Sequence, residues 1–558
     1  MYSIGISAYY HDSSVSLFRR GVLIFACEEE KFTGIKHDSN FPKKTLEYLV
    51  NRYDLSKKNI DVICFYEDPS LKKKRVVEYS KKNFYKKPIT SVKNYINLIR
   101  NTTELKRTLS RLCDNVFYSK HHHSHLYYSA FSSPFKESAV VSIDGVGEYD
   151  TTTISHHNGG PMKVETVSTY PHSIGLFYSA MTSFLGFKPN EGEYKLMGLS
   201  SYGVGSDLVR KVNKLIKFED GKIVCDLDYF DWYKSNTTMY NYKLSEVLGM
   251  LPRLPEEPIT QKHKDLAYAI QSVYESTFFN LLTYVHKKYQ SKNLCLGGGC
   301  AYNGSANGKI YKKTQFEHLW IPPAPSDAGS SIGSVINYHV GKGKSVDIPN
   351  KPFLGPSYRV NKDFKHLLKG RKYIHIENLD VLFSIISKQI HKGSVVGYFR
   401  DEIEFGSRAL GNRSILADPT DKNMKDRINK LVKRREGFRP FAPMVTKERQ
   451  HDFFHMVEDV PYMNQVVRVK EDYVDRLSAV THVDGTSRVQ TVDRSNTIHG
   501  LLREYEKKSG FPILLNTSFN IKDKTMVLTP QDALETFDDV DIDILVLQNF
   551  IIFKKNNR

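Results

Sequence analysis

A chain of 558 residues is longer than one hydrophobic core sustains, so two or three domains are expected, each burying its own core. With 40% hydrophobic and 25% charged residues and no low-complexity block, the composition is that of a soluble globular protein, and no apolar run approaches the ~20 residues of a membrane span. The net charge of +18 rests largely on scattered lysine runs (Lys72-Lys73-Lys74-Arg75, Lys81-Lys82, Lys86-Lys87). These lack the aromatic interleaving of a single-strand binding face, which favours solvated surface and anion steering over nucleic acid.

The segment from Ser3 to Ala8 reads as a buried strand, followed by a polar turn from Tyr9 to Ser14 and strands from Val15 to Phe18 and Val22 to Ala26. The sequence opens on that strand without a signal-peptide pattern. Six cysteines (Cys27, Cys64, Cys113, Cys225, Cys295, Cys300) lack any CxxC, so a reducing compartment and a cytoplasmic location are expected. A strand–turn–strand start with Asp12 in the turn is how actin-like ATPase domains place a loop beneath a nucleotide phosphate, although many α/β proteins begin with a hairpin. A second strand ends in an acid and glycines between Ala139 and Gly147. A third, from Asn293, ends in Gly297-Gly298-Gly299, with a helix expected from about Tyr302. Repeated strand-then-glycine units suit a duplicated actin-like fold. Gly341 to Pro356, rich in Gly, Lys, Ser and Pro, reads as a linker. Beyond it come a helical pattern from Leu379 to His391, a strand from Ser394 to Tyr398, strands from Pro512 to Leu515, Ile544 to Leu547 and Phe550 to Phe553, and a helix near Pro530 to Thr536. These form a second α/β domain. The expected domain limits are 1–350 and 351–558.

His121 and His125, at i and i+4, project from one face of a helix, the spacing with which two imidazoles bind one metal ion. Asp144 and Asp327 are acids placed at strand ends to complete such a site. A His/His/Asp/Asp set without sulfur suits Fe(II), Mn(II) or Zn(II). The alternative is a polar helix start with solvated histidines. Gly297, Gly298 and Gly299 let backbone N–H groups approach a phosphate, or simply form a tight strand–helix turn; no GxxxxGK[ST] occurs. Lys433, Arg434, Arg435 and Arg439, with Arg408, Arg413 and Arg488, concentrate cations suited to a triphosphate or carbamoyl phosphate. They could equally form salt bridges with Glu402, Glu404 and Glu436. Ser518 and Asn520 add a hydroxyl and an amide.

Eight blocks of sequence resemble the NodU/CmcH-type O-carbamoyltransferases: IGISAYYHDSS (Ile4 to Ser14), His121 to His125, Ile143 to Glu148, Gly192 to Leu199, EFGSRALGNRSILADP (Glu404 to Pro419), FRPFAP (Phe438 to Pro443), THVDGTSRVQTV (Thr481 to Val492) and LLNTSFN (Leu514 to Asn520). The resemblance implies an α/β protein with an N-terminal actin-like (ASKHA, TsaD-like) domain of duplicated subdomains and a C-terminal YrdC-like α/β domain. It implies that carbamoyl phosphate and ATP, with Mg, give carbamoyl-adenylate in the C-terminal domain. The N-terminal domain then transfers the carbamoyl group to a hydroxyl of a small-molecule, sugar, natural-product or glycan acceptor. It assigns His121, His125, Asp144 and Asp327 to a divalent metal, Fe(II) ahead of Zn(II) or Mn(II). His11, Lys36, Lys433, Arg439, Arg488 and Ser518 carry the chemistry, and Asp12, Gly297, Gly298, Gly299, Asn303, Arg408, Arg413 and Asn520 hold nucleotide. Two departures stand out: a third imidazole at His123, which competes as a ligand, and Tyr302 after the glycine loop. A tRNA-binding, threonylcarbamoylation-type protein is the alternative reading, and an inactive ATP-binding regulator a third. Neither membrane nor nucleic acid is expected as a partner. The acceptor and the oligomeric state, a homodimer included, stay open.

Overall fold

The computed structural model describes residues 1–83, 102–205, 207–235, 237–358 and 362–554; of the basic runs, Lys86 and Lys87 lie outside these residues. The chain divides into two compact units. The first comprises Met1–Ala26, Ser39–Ala306 and Ile310–Asn350; the second comprises Cys27–Asp38, Asn307–Lys309 and Lys351–Arg558. Among the described residues no helix is long and apolar enough to cross a membrane.

In the first unit, β1 (Tyr2–Ser7), β2 (Ser14–Arg19), β3 (Val22–Glu28), β4 (Ile60–Phe65) and β5 (Val116–Tyr118) form a sheet in the order β3-β2-β1-β4-β5. β6 (Ser138–Ile143), β7 (Asp150–His157) and β8 (Glu165–Thr169) follow, then a separate hairpin of β9 (Ile216–Glu219) and β10 (Lys222–Cys225), then β11 (Asn293–Gly297) and β12 (His318–Trp320). The second sheet runs β8-β7-β6-β11-β12. In each sheet the first strand pairs antiparallel with the second and parallel with the fourth, which pairs parallel with the fifth. One pairing scheme therefore occurs twice, the duplicated actin-like layout expected from the repeated strand–turn units.

Three helices organise this unit: α1 (His121–Phe131), α2 (Gln261–Tyr289) and α3 (Asp327–Gly341). β1 alternates Ile4 and Ile6 with the small residues Ser3, Gly5 and Ser7, because α3 lies directly on the small face. A Cβ at Gly5 would stand 1.8 Å from the Ser331 carbonyl oxygen. Gly333 of α3 likewise meets α1, where an added Cβ would fall 1.8 Å from the Ser124 carbonyl oxygen. Only a residue without a side chain lets the two helices approach so closely. The continuous helix expected from Tyr302 is instead a 3-10 turn (Gly299–Tyr302) and two short helices, Gly304–Asn307 and Ile310–Lys313. The break falls where Asn307–Lys309 joins the second unit: Asn307 donates to the Asn464 carbonyl at 2.8 Å, and a Cβ at Gly308 would lie 1.8 Å from the Val466 carbonyl oxygen.

The second unit contains β13 (Tyr373–His375), β14 (Val396–Phe399), β15 (Arg413–Ala417), β16 (Ala442–Thr446), β17 (Phe454–His455), β18 (Val467–Val469), β19 (Thr486–Ser487), β20 (Gln490–Val492), β21 (Ile513–Ser518), β22 (Ile544–Leu547) and β23 (Phe550–Phe553). Eight of these form one sheet in the order β13-β23-β22-β14-β15-β21-β16-β20. Its central strands are apolar on both faces. Phe399, Ile415, Val445, Ile513, Leu515, Leu545 and Leu547 face one cluster with α6 (Pro530–Asp539). Their neighbours Val396, Tyr398, Leu416, Met444, Leu514, Ile544 and Val546 face another, built with α4 (Leu379–His391) and α5 (Ile498–Ser509). The segment Cys27–Asp38 is tied into this unit by the buried Glu28, whose carboxylate accepts the Gly406 N–H at 2.7 Å.

Gly333→Ala is expected to destabilise the fold by about 1–3 kcal/mol, because no neighbouring side chain can move aside from a backbone carbonyl. Thermal unfolding measures it; an unchanged midpoint would show that α1 and α3 separate there freely.

Candidate metal centre and anion site

α1 begins at His121 because Glu148 satisfies its first N–H: both carboxylate oxygens accept from His121 N, at 2.9 and 3.1 Å, and one also accepts from Asp68 N at 2.7 Å. His121 and His125 then point from one face, their Nε2 atoms 3.0 Å apart. Asp144, one residue beyond β6, brings Oδ2 to 2.9 Å from His121 Nε2 and 3.2 Å from His125 Nε2. Asp327, at the start of α3, places Oδ1 at 3.6 Å from both. One ligand atom from each of the four lies within 4.8 Å of the others, and all four residues are buried.

This donor set fits a divalent cation. Asp327 is 0% exposed, yet neither of its carboxylate oxygens has a hydrogen-bond partner among the described residues. Two imidazoles that meet nitrogen to nitrogen beside two buried acids need a positive charge between them. Burial alone would raise the Asp144 carboxyl, but the hydrogen bonds of His121 and His125 hold it well below the usual carboxylate range. Burial would lower His125, but Asp144 and Asp327 raise it to about 9. Ser330 Oγ, 3.1 Å from His125 Nδ1, orients the ring from behind. His123 stays outside the group, its imidazole lowered to about 4 by burial and by Lys120. His122 turns to Thr153 Oγ1 at 3.1 Å.

The β1–β2 turn borders this centre. Tyr9 and Asp12 adopt left-handed φ values of 74° and 50°, and His11 Nδ1 lies 3.1 Å from Asp12 Oδ2. Burial would lower the His11 imidazole; the charges of Asp327, Asp12 and Asp144 raise it to about 10. Tyr10 is raised by burial, then by Asp144 and Asp327.

The glycine loop departs from the phosphate cradle expected of it. Gly298 N–H donates to the Pro325 carbonyl at 2.8 Å and Gly299 N–H to Asp144 Oδ1 at 3.3 Å, so neither is directed at a ligand. Glycine is required for a steric reason: Gly298 has φ 84°, and a Cβ there would lie 2.2 Å from the Ile143 carbonyl oxygen. Asn303 is also engaged within the fold, accepting from Gln271 Nε2 at 3.0 Å and from Ala306 N at 3.1 Å.

In the second unit part of the expected set stands close together, while Arg434 pairs with Asp539 at 3.4 Å and Arg439 with Glu436 at 3.5 Å. Arg488 is held well below its usual value by burial and then by Arg408, Arg435 and Arg439, and Lys433 by burial and then by Arg435, Arg439 and Lys36. Crowded like charges raise each other's free energy, and a bound anion relieves it. Lys433 Nζ meets Ser518 O, Ser518 Oγ, Asn520 O and Asn520 Oδ1 at 2.6–3.1 Å, so Ser518 and Asn520 anchor the lysine. Arg413 corrects the expectation. Its guanidinium lies 3.6 Å over the Phe399 ring and donates to the carbonyls of Arg400, Asn412 and Asp401. Glu404 beside it accepts three backbone N–H groups. Arg413 is 0% exposed and braces the sheet instead of binding nucleotide.

The Carbamoyltransferase N-terminus family matches residues 2–336, and the Carbamoyltransferase C-terminus family matches residues 387–554. The chain belongs to the NodU-type carbamoyltransferase family. It is 36% identical to the uncharacterized protein sll1178 of Synechocystis sp., over 99% of this chain and 96% of that one. To nodulation protein NolNO of Sinorhizobium fredii it is 33% identical, over 98% and 80% of the two chains. To nodulation protein NolO of Bradyrhizobium diazoefficiens it is 34% identical, over 78% and 79%.

Carbamoyl transfer is the chemistry of the family, and the first unit holds a buried His/Asp group that could bind a divalent metal. Glu148, Ser330 and Tyr10 belong to this carbamoyltransferase's first site and were not singled out from sequence. Glu148 and Tyr10 lie within blocks that carry the family resemblance, whereas Ser330 lies outside them. Asp327→Asn is expected to cut the divalent metal retained by the purified enzyme at least about tenfold. Elemental analysis after desalting measures it; full retention would rule out Asp327 as a ligand.

Proposed function

We propose that this carbamoyltransferase is an ATP- and carbamoyl-phosphate-dependent O-carbamoyltransferase that divides its chemistry between the two units. The observation that carries the reading is the segregation of charge. The acid–imidazole group lies wholly in the first unit, and Lys36, Arg408, Lys433, Arg435, Arg439 and Arg488 lie wholly in the second.

In the second unit, carbamoyl phosphate and water give carbamate and inorganic phosphate. A carbamate oxygen then attacks the α-phosphorus of MgATP, pyrophosphate leaves, and carbamoyl-adenylate remains. Arginine forks neutralise the phosphoryl oxygens in both steps. In the first unit, the acceptor hydroxyl oxygen attacks the carbamoyl carbon, the bond to AMP breaks, and the hydroxyl proton is lost. His121, His125, Asp144 and Asp327 would hold a divalent cation, which ligand type leaves as Fe(II), Zn(II) or Mn(II) and the family resemblance narrows to Fe(II) first, and which when bound supplies Lewis acidity. His11, its Nδ1 tied to Asp12 and its imidazolium favoured by Asp327, Asp12 and Asp144, is the proposed donor to the carbamoyl-adenylate, and the half-buried Tyr10 stands beside it. The acceptor class is a hydroxyl-bearing small molecule, sugar, natural product or glycan.

Carbamoyl-phosphate-dependent pyrophosphate and AMP release is the decisive assay. Arg488→Ala is expected to lower pyrophosphate release by about 10²–10³-fold, the cost of removing a donor from a developing charge. His125→Ala is expected to leave pyrophosphate release within a few-fold of wild type while ester formation disappears. Equal loss of both activities in a folded His125→Ala protein would refute the division of labour.

A further inference from the structure

The cation cluster of the second unit is a set of donors, since lysine and arginine side chains offer N–H groups and no lone pair. His482, on the turn before β19, differs. Its backbone N–H donates to the Thr486 carbonyl at 2.7 Å, and its ring Nδ1 lies 3.1 Å from Thr486 Oγ1. The Thr486 hydroxyl in turn donates to Asp484 Oδ1 at 2.6 Å. A carboxylate only accepts, so the hydroxyl proton is committed to Asp484, and its oxygen must accept from Nδ1–H. The tautomer is thereby fixed, and Nε2 carries the lone pair. Nε2 is shielded from solvent and has no partner among the described residues. Burial, with the nearby charges of Arg488 and Lys425, lowers the imidazole to about 4 against the pull of Asp484, so the ring is neutral at pH 7.

We infer that His482 Nε2 accepts a hydrogen bond from the carbamoyl NH2 and is the residue that selects the carbamoyl donor. The inference rests on the reading of the cation cluster as the carbamoyl phosphate site. Every phosphate and carbonyl oxygen of that substrate is an acceptor, and arginine and lysine donors serve them. Its NH2 is the donor and needs an acceptor: the oxygens of Ser518 and Asn520 are engaged by Lys433, whereas His482 Nε2, on a ring that feels the charges of Arg488 and Lys425, is not. Acetyl phosphate has the same shape with a methyl in place of the NH2. Bound there, it would leave a buried nitrogen lone pair unmet, the type of mismatch by which sites reject isosteres.

The test is phosphate and AMP release from carbamoyl phosphate and ATP by the whole chain, with acetyl phosphate as competitor. In the wild type the inhibition constant of acetyl phosphate is expected to exceed the KM for carbamoyl phosphate by at least about tenfold, one hydrogen bond's worth of discrimination. His482→Phe, which cannot accept, is expected to bring the ratio close to one, chiefly by raising KM. Thr486→Val, which releases the tautomer and keeps the ring, is expected to narrow it part-way. His482→Gln, which restores an acceptor oxygen, is expected to recover part of it, and these two variants decide the question if His482→Phe does not fold. An unchanged ratio in the variants would overturn the inference, as would a wild type that binds both phosphates equally. A fall in kcat with the ratio intact would also overturn it and mark His482 as a proton-transfer group. If the wild type releases no phosphate from carbamoyl phosphate, the reading of the cluster fails and this assignment falls with it.

Discussion

Asp144 and Asp327 are buried side by side against two imidazoles, and the first unit is arranged around that concentration of charge. Removing a carboxylate from water costs several kcal/mol unless opposite charge and hydrogen bonds replace the lost hydration. Asp144 is compensated from two directions: Oδ1 accepts Gly145 and Gly299 N–H groups, while Oδ2 faces His121 and His125. Asp327 has no such backbone support among the described residues, so its stability depends on what lies between it and the imidazoles. The glycines of the β11 loop and of α3 follow from this need, because both bring backbone close enough to hold the acids and imidazoles in one place.

The second unit poses the opposite electrostatic problem. Arg408, Arg435 and Arg439 each act as a like charge on the buried Arg488 guanidinium. Strands buried on both faces cannot slip by one residue without exchanging their two hydrophobic clusters, so the register of β15 against β14 and β21 is strongly determined. Arg413 and Glu404 contribute to this framework from within, one binding carbonyls and the other binding N–H groups.

The buried His/Asp group was legible because its signals are local: i and i+4 imidazoles on a helix, and two acids expected at strand ends, of which Asp327 begins a helix instead. The duplicated fold was legible for a related reason, since each half repeats a strand followed by a tight turn. Where the reading failed, the deciding partner was remote in sequence. Gly298 reads alike whether it cradles a phosphate or avoids the Ile143 carbonyl, and Arg413 reads alike whether it binds a nucleotide or stacks on Phe399. Ser330 and Tyr10 gain meaning only when α3 and the β1–β2 turn fold back on α1. The helix expected at Tyr302 breaks because residues 307–309 leave their own unit for the other, which no local periodicity records.

The four residues of the acid–imidazole group also stand far apart along the chain, with His121, His125 and Asp144 in its first third and Asp327 well beyond. A cation held by all four would act as a cross-link that closes a loop of about two hundred residues, removing conformational freedom from the unfolded chain much as a long-range disulfide does. Because the loop-closing entropy is released only when every ligand is in place, the ion would couple the two halves of the duplicated unit into one cooperative element. The chemistry of transfer and the mechanical integrity of the unit would then draw on the same atom.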